Sequence, residues 1–396
     1  MFKTWLPAIS GMICLGLGAG LIGVYGFFVP LLSEEFGAST AALNTGPVLL
    51  LLVPAFVAPF VGKLADRLPI RRLLLTGVTL AMLSLLAGSQ APTLPLVALG
   101  FLGFSLGLTL YGPVVVNGLM VKIYPGREAR ALAVVAIGIS VATAVVPLAV
   151  GWLLTFLDWR QALACLALGV LACVWFAVLT GIPGGVAGEA GEKPERAGKE
   201  IYRRAEFWLI GGCMALGMNV AMVQAVCYPP LFISKGFSPV EAGSFLTMAG
   251  VAGLLGKAGI AWLGDAGRQY AKWLVAGLLS SQAFAMFLLR SADNSAEVIG
   301  VLLIAGFSGG AFLPMHAYLN SRYFSPAVIG QVTGSQMPLF LPFGLVGAPL
   351  AGYVFDSTGS YDLVLLGLVV ALLCAAALAV RLSGKASDGS PALQAD

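Results

Sequence analysis

The residues with the clearest chemical potential are ionisable side chains placed inside strongly apolar stretches of the sequence. Lys257 lies in such a stretch, 242–264, shortly before Asp265. A charged side chain at that depth costs about 2.5 to 3.5 kcal/mol on membrane-insertion scales, so it is a functional candidate by default. Its ammonium group would pair with the carboxylate of a small organic anion. The structural alternative is that the side chain extends toward lipid headgroups.

Few other polar residues could complete such a site. His316 is the only histidine of the chain, and its imidazole could carry a proton near neutral pH or bind substrate. The alternative for His316 is a hydrogen-bonded packing role, and Asn117 and Asn320, 203 positions apart, are either cavity donors or interhelical bonds. Lys257 and His316 are the candidates for proton coupling. The candidate substrate-binding residues are Lys257, Asn117, Tyr25, His316, Tyr111, Gln224, Asn219, Tyr228 and Gln336.

Other kinds of chemistry have little support in the sequence. None of the 18 Asp and Glu residues lies clearly inside an apolar stretch, so a carboxylate proton relay is not expected. The sequence has no His/Cys spacing typical of a metal site, no convincing set of nucleophile, base and orienting group, and no Walker motif. We therefore predict a protein that is not an enzyme, holds no metal or cofactor, and does not bind nucleic acid.

Composition indicates the elements that must position these residues. Of 396 residues, 59% are hydrophobic and 10% are charged, and the mean hydropathy is +0.94, which is typical of a multi-pass membrane protein. Each apolar stretch is long enough for a helix to cross about 30 Å of hydrocarbon. The twelve predicted spans are 6–32, 43–65, 72–90, 94–121, 131–156, 161–182, 207–233, 242–264, 272–290, 297–321, 328–354 and 363–382.

The twelve spans form two sets of six that repeat at an offset near 200 residues. Leu64-Ala65-Asp66 recurs as Leu263-Gly264-Asp265, and Gly103-Phe104-Ser105 recurs as Gly306-Phe307-Ser308. Such a duplication predicts two pseudo-symmetric six-helix bundles with the substrate site between them. The predicted domains are an N-terminal bundle over 1–183, a cytoplasmic linker over 184–205, a C-terminal bundle over 206–384 and a disordered tail over 385–396.

The distribution of basic residues predicts the orientation. With the N-terminus in the cytoplasm, most of the 22 Lys and Arg residues fall on the cytoplasmic side, whereas Arg160, Lys235 and Arg290 fall outside. This asymmetry favours two cytoplasmic termini and an even number of spans in the cytoplasmic (inner) membrane.

A charged motif follows the second span. It runs Gly62-Lys63-Leu64-Ala65-Asp66-Arg67, with Arg71 and Arg72 close behind, and a weaker copy ends at Asp265 and Arg268. A carboxylate beside guanidinium groups at a helix end could latch neighbouring helices and release them during transport. The predicted latch residues are Asp66, Arg67, Arg71, Arg72, Asp265 and Arg268. The motif resembles the loop signature of the major facilitator superfamily, although Pro69 and Ile70 stand where that signature has a glycine and a basic residue.

Within that superfamily the chain is similar to the monocarboxylate porters, including their bacterial oxalate/formate-type relatives. The segments that carry this resemblance are Tyr25–Leu32 with Glu35-Phe36-Gly37, Tyr124–Ala133, Asp158-Trp159-Arg160, and Gly352–Asp356 with Gly359-Ser360-Tyr361. The resemblance implies the major facilitator fold and a basic substrate-binding residue in the eighth span, near Lys257. Two departures concern Tyr25, where some members have a lysine, and Gly253, where some have an acidic residue.

Together these features predict a secondary active transporter of small organic anions. The expected substrates are monocarboxylates such as lactate or pyruvate, moved by alternating access in a monomer, with proton symport as one coupling mode and anion exchange or uniport as others. An exporter of drugs or hydrophobic metabolites is the first alternative. A non-transporting membrane receptor is the second.

Overall fold

The structure is a computed structural model that describes residues 2–38, 43, 46–184, 200–263 and 268–383. Within these ranges every regular element is a helix. Most of the predicted linker 184–205 and the predicted tail 385–396 lie outside them, as does Asp265.

The described part of the first half of the chain contains eight helices. Its second span is the 22-residue helix α3, and the others follow the predicted spans with breaks in the first and fourth. The helices are α1 Phe2–Gly23, α2 Tyr25–Phe36, α3 Gly46–Arg67, α4 Ile70–Ser89, α5 Leu94–Tyr111, α6 Pro113–Ile123, α7 Glu128–Leu153 and α8 Trp159–Gly181.

Among the residues described in the second half there are nine helices, and short 3₁₀ turns connect some of them. These turns are Arg268–Tyr270, Pro326–Val328 and Met337–Phe340. The helices are α9 Glu200–Arg203, α10 Ala205–Ser234, α11 Pro239–Leu263, α12 Ala271–Leu289, α13 Ser295–Phe312, α14 Met315–Tyr323, α15 Ile329–Gln336, α16 Leu341–Thr358 and α17 Asp362–Val380.

Eleven helical segments of the described chain are long and apolar enough to cross a membrane. They account for every predicted span except 43–65, where α3 lies; that span stays a prediction. Large apolar side chains on the surface agree with a lipid environment: Phe60, Phe176 and Trp262 are each more than two-thirds exposed.

Two equivalent spans are interrupted in their middle. The fourth span breaks at Gly112, an extended residue with φ −88° and ψ −160°, and Pro113 opens the helix that follows. The tenth span breaks at Leu313-Pro314, and Pro314 precedes α14. Proline has no N–H and cannot continue the hydrogen-bond ladder of the preceding helix, so these positions favour a helix boundary. The predicted spans 94–121 and 297–321 are therefore each two helices.

The described residues form two compact units. Unit 1 comprises Met1–Pro125, Val134–Glu195 and Pro326–Pro338; unit 2 comprises Gly126–Ala133, Arg196–Ser325 and Leu339–Asp396. Each unit therefore holds most of one sequence half together with a short segment of the other. The domain limits inferred from the sequence remain a prediction, because the two units are defined by contacts and not by those limits.

Glycines allow helices within each unit to approach at backbone distance. In unit 2, a Cβ at Gly310 would lie 2.1 Å from the carbonyl oxygen of Gly253, and one at Gly306 would lie 2.2 Å from that of Ala249, so α13 lies directly on α11. In unit 1, a Cβ at Gly107 would lie 2.4 Å from the amide nitrogen of Ala81. Small residues drive such packing in lipid, where hydrophobic burial between helices contributes little.

Replacing Gly310 by alanine should destabilise the protein, whereas the same change at Gly300 on the same helix should not. A Cβ at Gly300 meets nothing within 4 Å. We expect G310A to lower the free energy of unfolding by about 1 to 3 kcal/mol because the backbones of α11 and α13 must separate. G300A should be neutral or stabilising because alanine is the better helix former. Thermal unfolding of the detergent-solubilised variants measures both; equal unfolding temperatures would contradict the packing argument.

Candidate functional site

Lys257 is buried in unit 2. It lies on α11, two turns before that helix ends, and only 6% of its surface is exposed. Gly256 precedes it and packs against α13, where a Cβ at Gly256 would lie 2.1 Å from the carbonyl oxygen of Phe307. Lys257 is thus buried inside the unit, next to a close backbone contact between α11 and α13. A side chain extended toward headgroups would be largely exposed, which Lys257 is not.

His316 and Asn320 lie on α14, directly after the break in the tenth span. The His316 ring is half-buried and 5.5 Å, centroid to centroid, from the ring of Phe340. Asn320, one turn later, is fully buried. Both residues therefore belong to unit 2, as Lys257 does, but on a different helix.

Gln224 and Tyr228, two predicted substrate-binding residues, belong to a polar cluster inside unit 2. The sulfur of Met286 on α12 accepts hydrogen bonds from the Gln224 amide at 3.1 Å and from the Tyr228 hydroxyl at 3.2 Å. The Gln282 amide donates to the Gln224 oxygen at 3.3 Å. These contacts join α10 to α12. Nothing in the sequence marks Met286 as an acceptor, because methionine usually packs as an apolar residue.

Asn219 is one turn before this cluster on α10. Its Oδ1 is buried and has no hydrogen-bond partner among the described residues. It fits against α16 only because residue 347 is glycine: a Cβ there would lie 2.0 Å from Oδ1. Buried polar atoms usually have partners, so an amide left in this state is a candidate for binding something else.

Tyr111 presents a similar group in unit 1. It is the last residue of α5 before the break at Gly112, it is fully buried, and its hydroxyl has no hydrogen-bond partner among the described residues. The hydroxyl lies beside α1, 3.3 Å from where a Cβ at Gly18 would be.

The remaining unit 1 candidates are dispersed. The Tyr25 hydroxyl donates to the carbonyl of Leu43 at 2.6 Å, and its ring is 5.0 Å from that of Phe101. Asn117 is half-buried on α6, and Gln336 is fully buried at the end of α15. Tyr25 also borders a cavity of about 560 Å³ whose other lining residues include Phe28, Phe101, Phe104, Trp159 and Leu163.

Asp66 caps a helix that comes from the other half of the sequence. Its carboxylate accepts from the Lys122 ammonium at 3.0 Å and from the backbone N–H groups of Gly330 and Gln331 at 3.1 and 2.7 Å. These N–H groups lie in the first turn of α15, and a negative charge is favourable at a helix N-terminus. Close glycine contact supports the cap, since a Cβ at Gly62 would lie 2.0 Å from the Gly330 carbonyl oxygen.

The other predicted latch residues make different contacts. Arg71 donates to the carbonyl of Leu179 at 3.1 Å, and Arg67 and Arg72 are exposed. Asp265 lies outside the described residues, as does the side chain of Arg268. Sequence reasoning missed Lys122 as the partner of Asp66, and it missed Arg130, which donates to the carbonyl of Trp262 in the last turn of α11 at 3.2 Å. In the sequence both are ordinary basic residues of the predicted cytoplasmic side.

The cap predicts a local effect of substituting Asp66. D66A leaves the N–H groups of Gly330 and Gln331 without their acceptor, so we expect hydrogen exchange at the start of α15 to accelerate about tenfold, in line with the 0.5 to 2 kcal/mol typical of a cap. R67A, the exposed neighbour, is the control. Unchanged exchange at 330 and 331 in D66A would refute the cap.

The sulfur-centred cluster predicts that M286L is costly although leucine has nearly the same volume. Leucine cannot accept, so the Tyr228 hydroxyl and one Gln224 donor lose their partner at a cost of about 1 to 3 kcal/mol. M82L is the matched control, since Met82 is 1% exposed on the equivalent helix α4. Thermal unfolding should show a clear loss for M286L and a small one for M82L; equal shifts would rule out the hydrogen bonds.

Known proteins place the chain in a family. The Major Facilitator Superfamily model matches residues 9–341. Monocarboxylate transporter 13 of Rattus norvegicus is 24% identical over 370 residues, 90% of this chain and 83% of that protein, and monocarboxylate transporter 11 of Mus musculus is 24% identical over 376 residues, 90% and 82%.

A solved structure agrees on the fold. The bacterial homologue of the iron transporter ferroportin, in its outward-facing state, superposes with a TM-score of 0.76 at 16% identity, over 96% of this chain and 99% of that one. The resemblance to monocarboxylate porters and the predicted fold class are thus confirmed. The chain belongs to the major facilitator superfamily and is a multi-pass membrane transporter.

Proposed function

We propose that this protein transports small organic anions, specifically monocarboxylates such as lactate or pyruvate, by alternating access. The observation that carries the proposal is the burial of Lys257 inside unit 2. The relatives named as monocarboxylate transporters support the substrate class.

The buried ammonium group favours an anionic substrate for an electrostatic reason. Removing a charge from water is costly, and a carboxylate hydrogen-bonded to it offsets part of that cost. The attraction is stronger at low local dielectric than in water. An uncharged molecule of the same size can accept a hydrogen bond from Lys257 but lacks the attraction between opposite charges. This is why the proposal names a carboxylate and not a sugar or an alcohol.

Two further groups have hydrogen-bonding capacity to spare. The Tyr111 hydroxyl in unit 1 and the Asn219 Oδ1 in unit 2 are buried without a hydrogen-bond partner among the described residues. We assign the Tyr111 hydroxyl to the substrate carboxylate, to which it can donate, and the Asn219 Oδ1, which only accepts, to a substrate hydroxyl such as that of lactate, at stages of the cycle in which their surroundings open. Asn117, Tyr25, His316 and Gln336 complete the proposed set, and Gln224 and Tyr228 act through the Met286 cluster.

The proposal includes proton symport. With no acidic residue clearly inside a span, the proton would move on His316, on Lys257 or on the protonated substrate itself.

We further propose that Asp66 acts as a conformational latch, since its cap on α15 can form and break as a unit. The proposed setting is a monomer in the cytoplasmic membrane with both termini in the cytoplasm.

A second candidate function, export of hydrophobic molecules, is favoured by the cavity in unit 1. The lining of this cavity is mostly apolar and aromatic, as is typical of sites that bind hydrophobic small molecules. Such an exporter would not depend on the charge of Lys257.

Replacing Lys257 by methionine separates these functions. Methionine keeps much of the length and removes the charge. In liposomes, we expect K257M to reduce initial uptake of labelled lactate under an imposed pH gradient at least tenfold, equivalent to about 1.4 kcal/mol of lost interaction. K63M, at an exposed lysine, should transport like the wild type.

The other outcomes are equally informative. Lactate uptake that persists unchanged in K257M would remove Lys257 from the site. Absence of lactate uptake and of counterflow in well-folded wild-type protein, together with efflux of an apolar dye that K257M retains, would favour the exporter. Uptake driven without a pH gradient would argue against proton symport.

A further inference from the structure

Arg160 joins three helices at one end of unit 1, on the face predicted to be outside the cell. It lies in the first turn of α8, and its Nη1 donates to the carbonyls of Ser89 at 2.7 Å and Ala91 at 2.9 Å, where α4 ends. Its Nη2 pairs with the Glu35 carboxylate at the end of α2. The Trp159 indole donates to the other Glu35 oxygen at 2.5 Å. We name Glu35, Trp159, Arg160 and the two carbonyls the Arg160 clamp.

Unit 2 contains a corresponding arrangement. Lys235 follows α10, and its ammonium donates to the carbonyls of Arg290 at 3.0 Å and Ala292 at 2.9 Å, where α12 ends. The Arg290 guanidinium makes two hydrogen bonds, of 2.6 and 2.8 Å, to the carboxylate of Asp362, the first residue of α17. We name Lys235, Arg290, Asp362 and the two carbonyls the Lys235 clamp.

The two clamps occupy equivalent positions with their charges exchanged. Positions 35 and 235, 89 and 290, 91 and 292, and 160 and 362 are separated by 200 to 202 residues, which is the offset of the sequence repeat. In the first half, the acid is at the end of the first span, on α2, and the base is at the start of the sixth span, on α8. In the second half, the base follows the first span, α10, and the acid opens the sixth span, α17. In both halves, a cation binds two equivalent carbonyls at the C-terminus of the third span, which is α4 in the first half and α12 in the second.

We propose that the Arg160 and Lys235 clamps do the same work and that one can replace the other. Each holds together the outer ends of the first, third and sixth spans of its half. The carbonyls at a helix C-terminus lack intrahelical partners and carry the negative end of the helix dipole, so a bound cation stabilises them. The clamp then tethers the neighbouring helix ends through the acid.

The Arg160 clamp has a particular task in unit 1. The first span breaks at Val24, so α2 is a separate helix, and Glu35 is its link to α4 and α8. Trp159 and Phe28 also line the cavity of unit 1, directly below the clamp. The Trp159 indole and the Arg160 guanidinium hold the pKa of Glu35 below its usual range, so the pair is charged at neutral pH. Losing the clamp should therefore loosen α2 in particular.

Coulomb attraction alone would not make the clamps important. The side chains of Arg160 and Glu35 are 25% and 37% exposed, and isolated ion pairs at such exposure contribute little. The stabilisation instead comes from the base, which satisfies carbonyls of another helix. The clamp model therefore predicts that loss of Arg160 is more harmful than loss of Glu35, and that Lys235 dominates in unit 2.

The decisive test transplants the second clamp into the first half. E35K and R160D each break the Arg160 clamp, and we expect each to lower the unfolding temperature by about 4 °C or more, with R160D the larger. The triple variant E35K/S89R/R160D reproduces the arrangement of Lys235, Arg290 and Asp362 and should recover most of that loss. E34K is the control, because Glu34 is an exposed neighbour and undergoes the same charge change. This readout needs no substrate, so it is independent of the transport proposal.

The clamp proposal is wrong if E35K and R160D lower the unfolding temperature no more than E34K does. It is also wrong if the triple variant folds but is no more stable than R160D. If the triple variant does not fold, E35Q, R160Q and their combination decide the question. Coupled residues give a combined loss close to that of R160Q alone, whereas additive losses contradict the clamp. Hydrogen exchange in E35Q should accelerate within 25–36 and not within 2–23; equal acceleration in both would also contradict it.

Discussion

In hydrocarbon, a backbone N–H or C=O without a hydrogen-bond partner costs several kcal/mol, so every such group in a span needs a partner. A helix supplies these partners only where it is unbroken. Every interruption of a span therefore needs a local solution. At Gly112 and Pro314 the break coincides with a proline, which has no N–H to leave unsatisfied. The polar candidates Tyr111 and His316 lie beside these two breaks, whereas Lys257 and the Met286 cluster lie on uninterrupted helices.

Charges at helix ends follow the same requirement. Asp66 accepts hydrogen bonds from the N–H groups in the first turn of α15, and Arg130, Arg160 and Lys235 donate to carbonyls at the ends of other helices. In each case the charge of the side chain is opposite to that of the helix end it contacts. Most of the described ion pairs are thus parts of helix-end contacts and not isolated surface bridges.

The two halves share a backbone plan and differ in the polarity of equivalent positions. Val24, Phe28 and Leu85 border an apolar cavity in unit 1, whereas their counterparts Gln224, Tyr228 and Met286 form a hydrogen-bonded cluster in unit 2. Lys257 and the only histidine also belong to unit 2. At these equivalent positions, therefore, unit 1 has apolar side chains and unit 2 has hydrogen-bonding ones.

Sequence alone determined the class of the protein, its repeat and most of its spans, because hydrophobic length and duplication are properties of the chain. It also identified Lys257 and Asp66, since charges in or beside apolar stretches are conspicuous. Only the tertiary structure decided that Lys257 is buried, that Asp66 binds Lys122 and the start of α15, and that Met286 is an acceptor. The exchanged charges of the two clamps also became visible only there. Hydropathy reports how each residue partitions into the membrane, whereas partners far apart in sequence are set by packing between helices, which hydropathy does not encode.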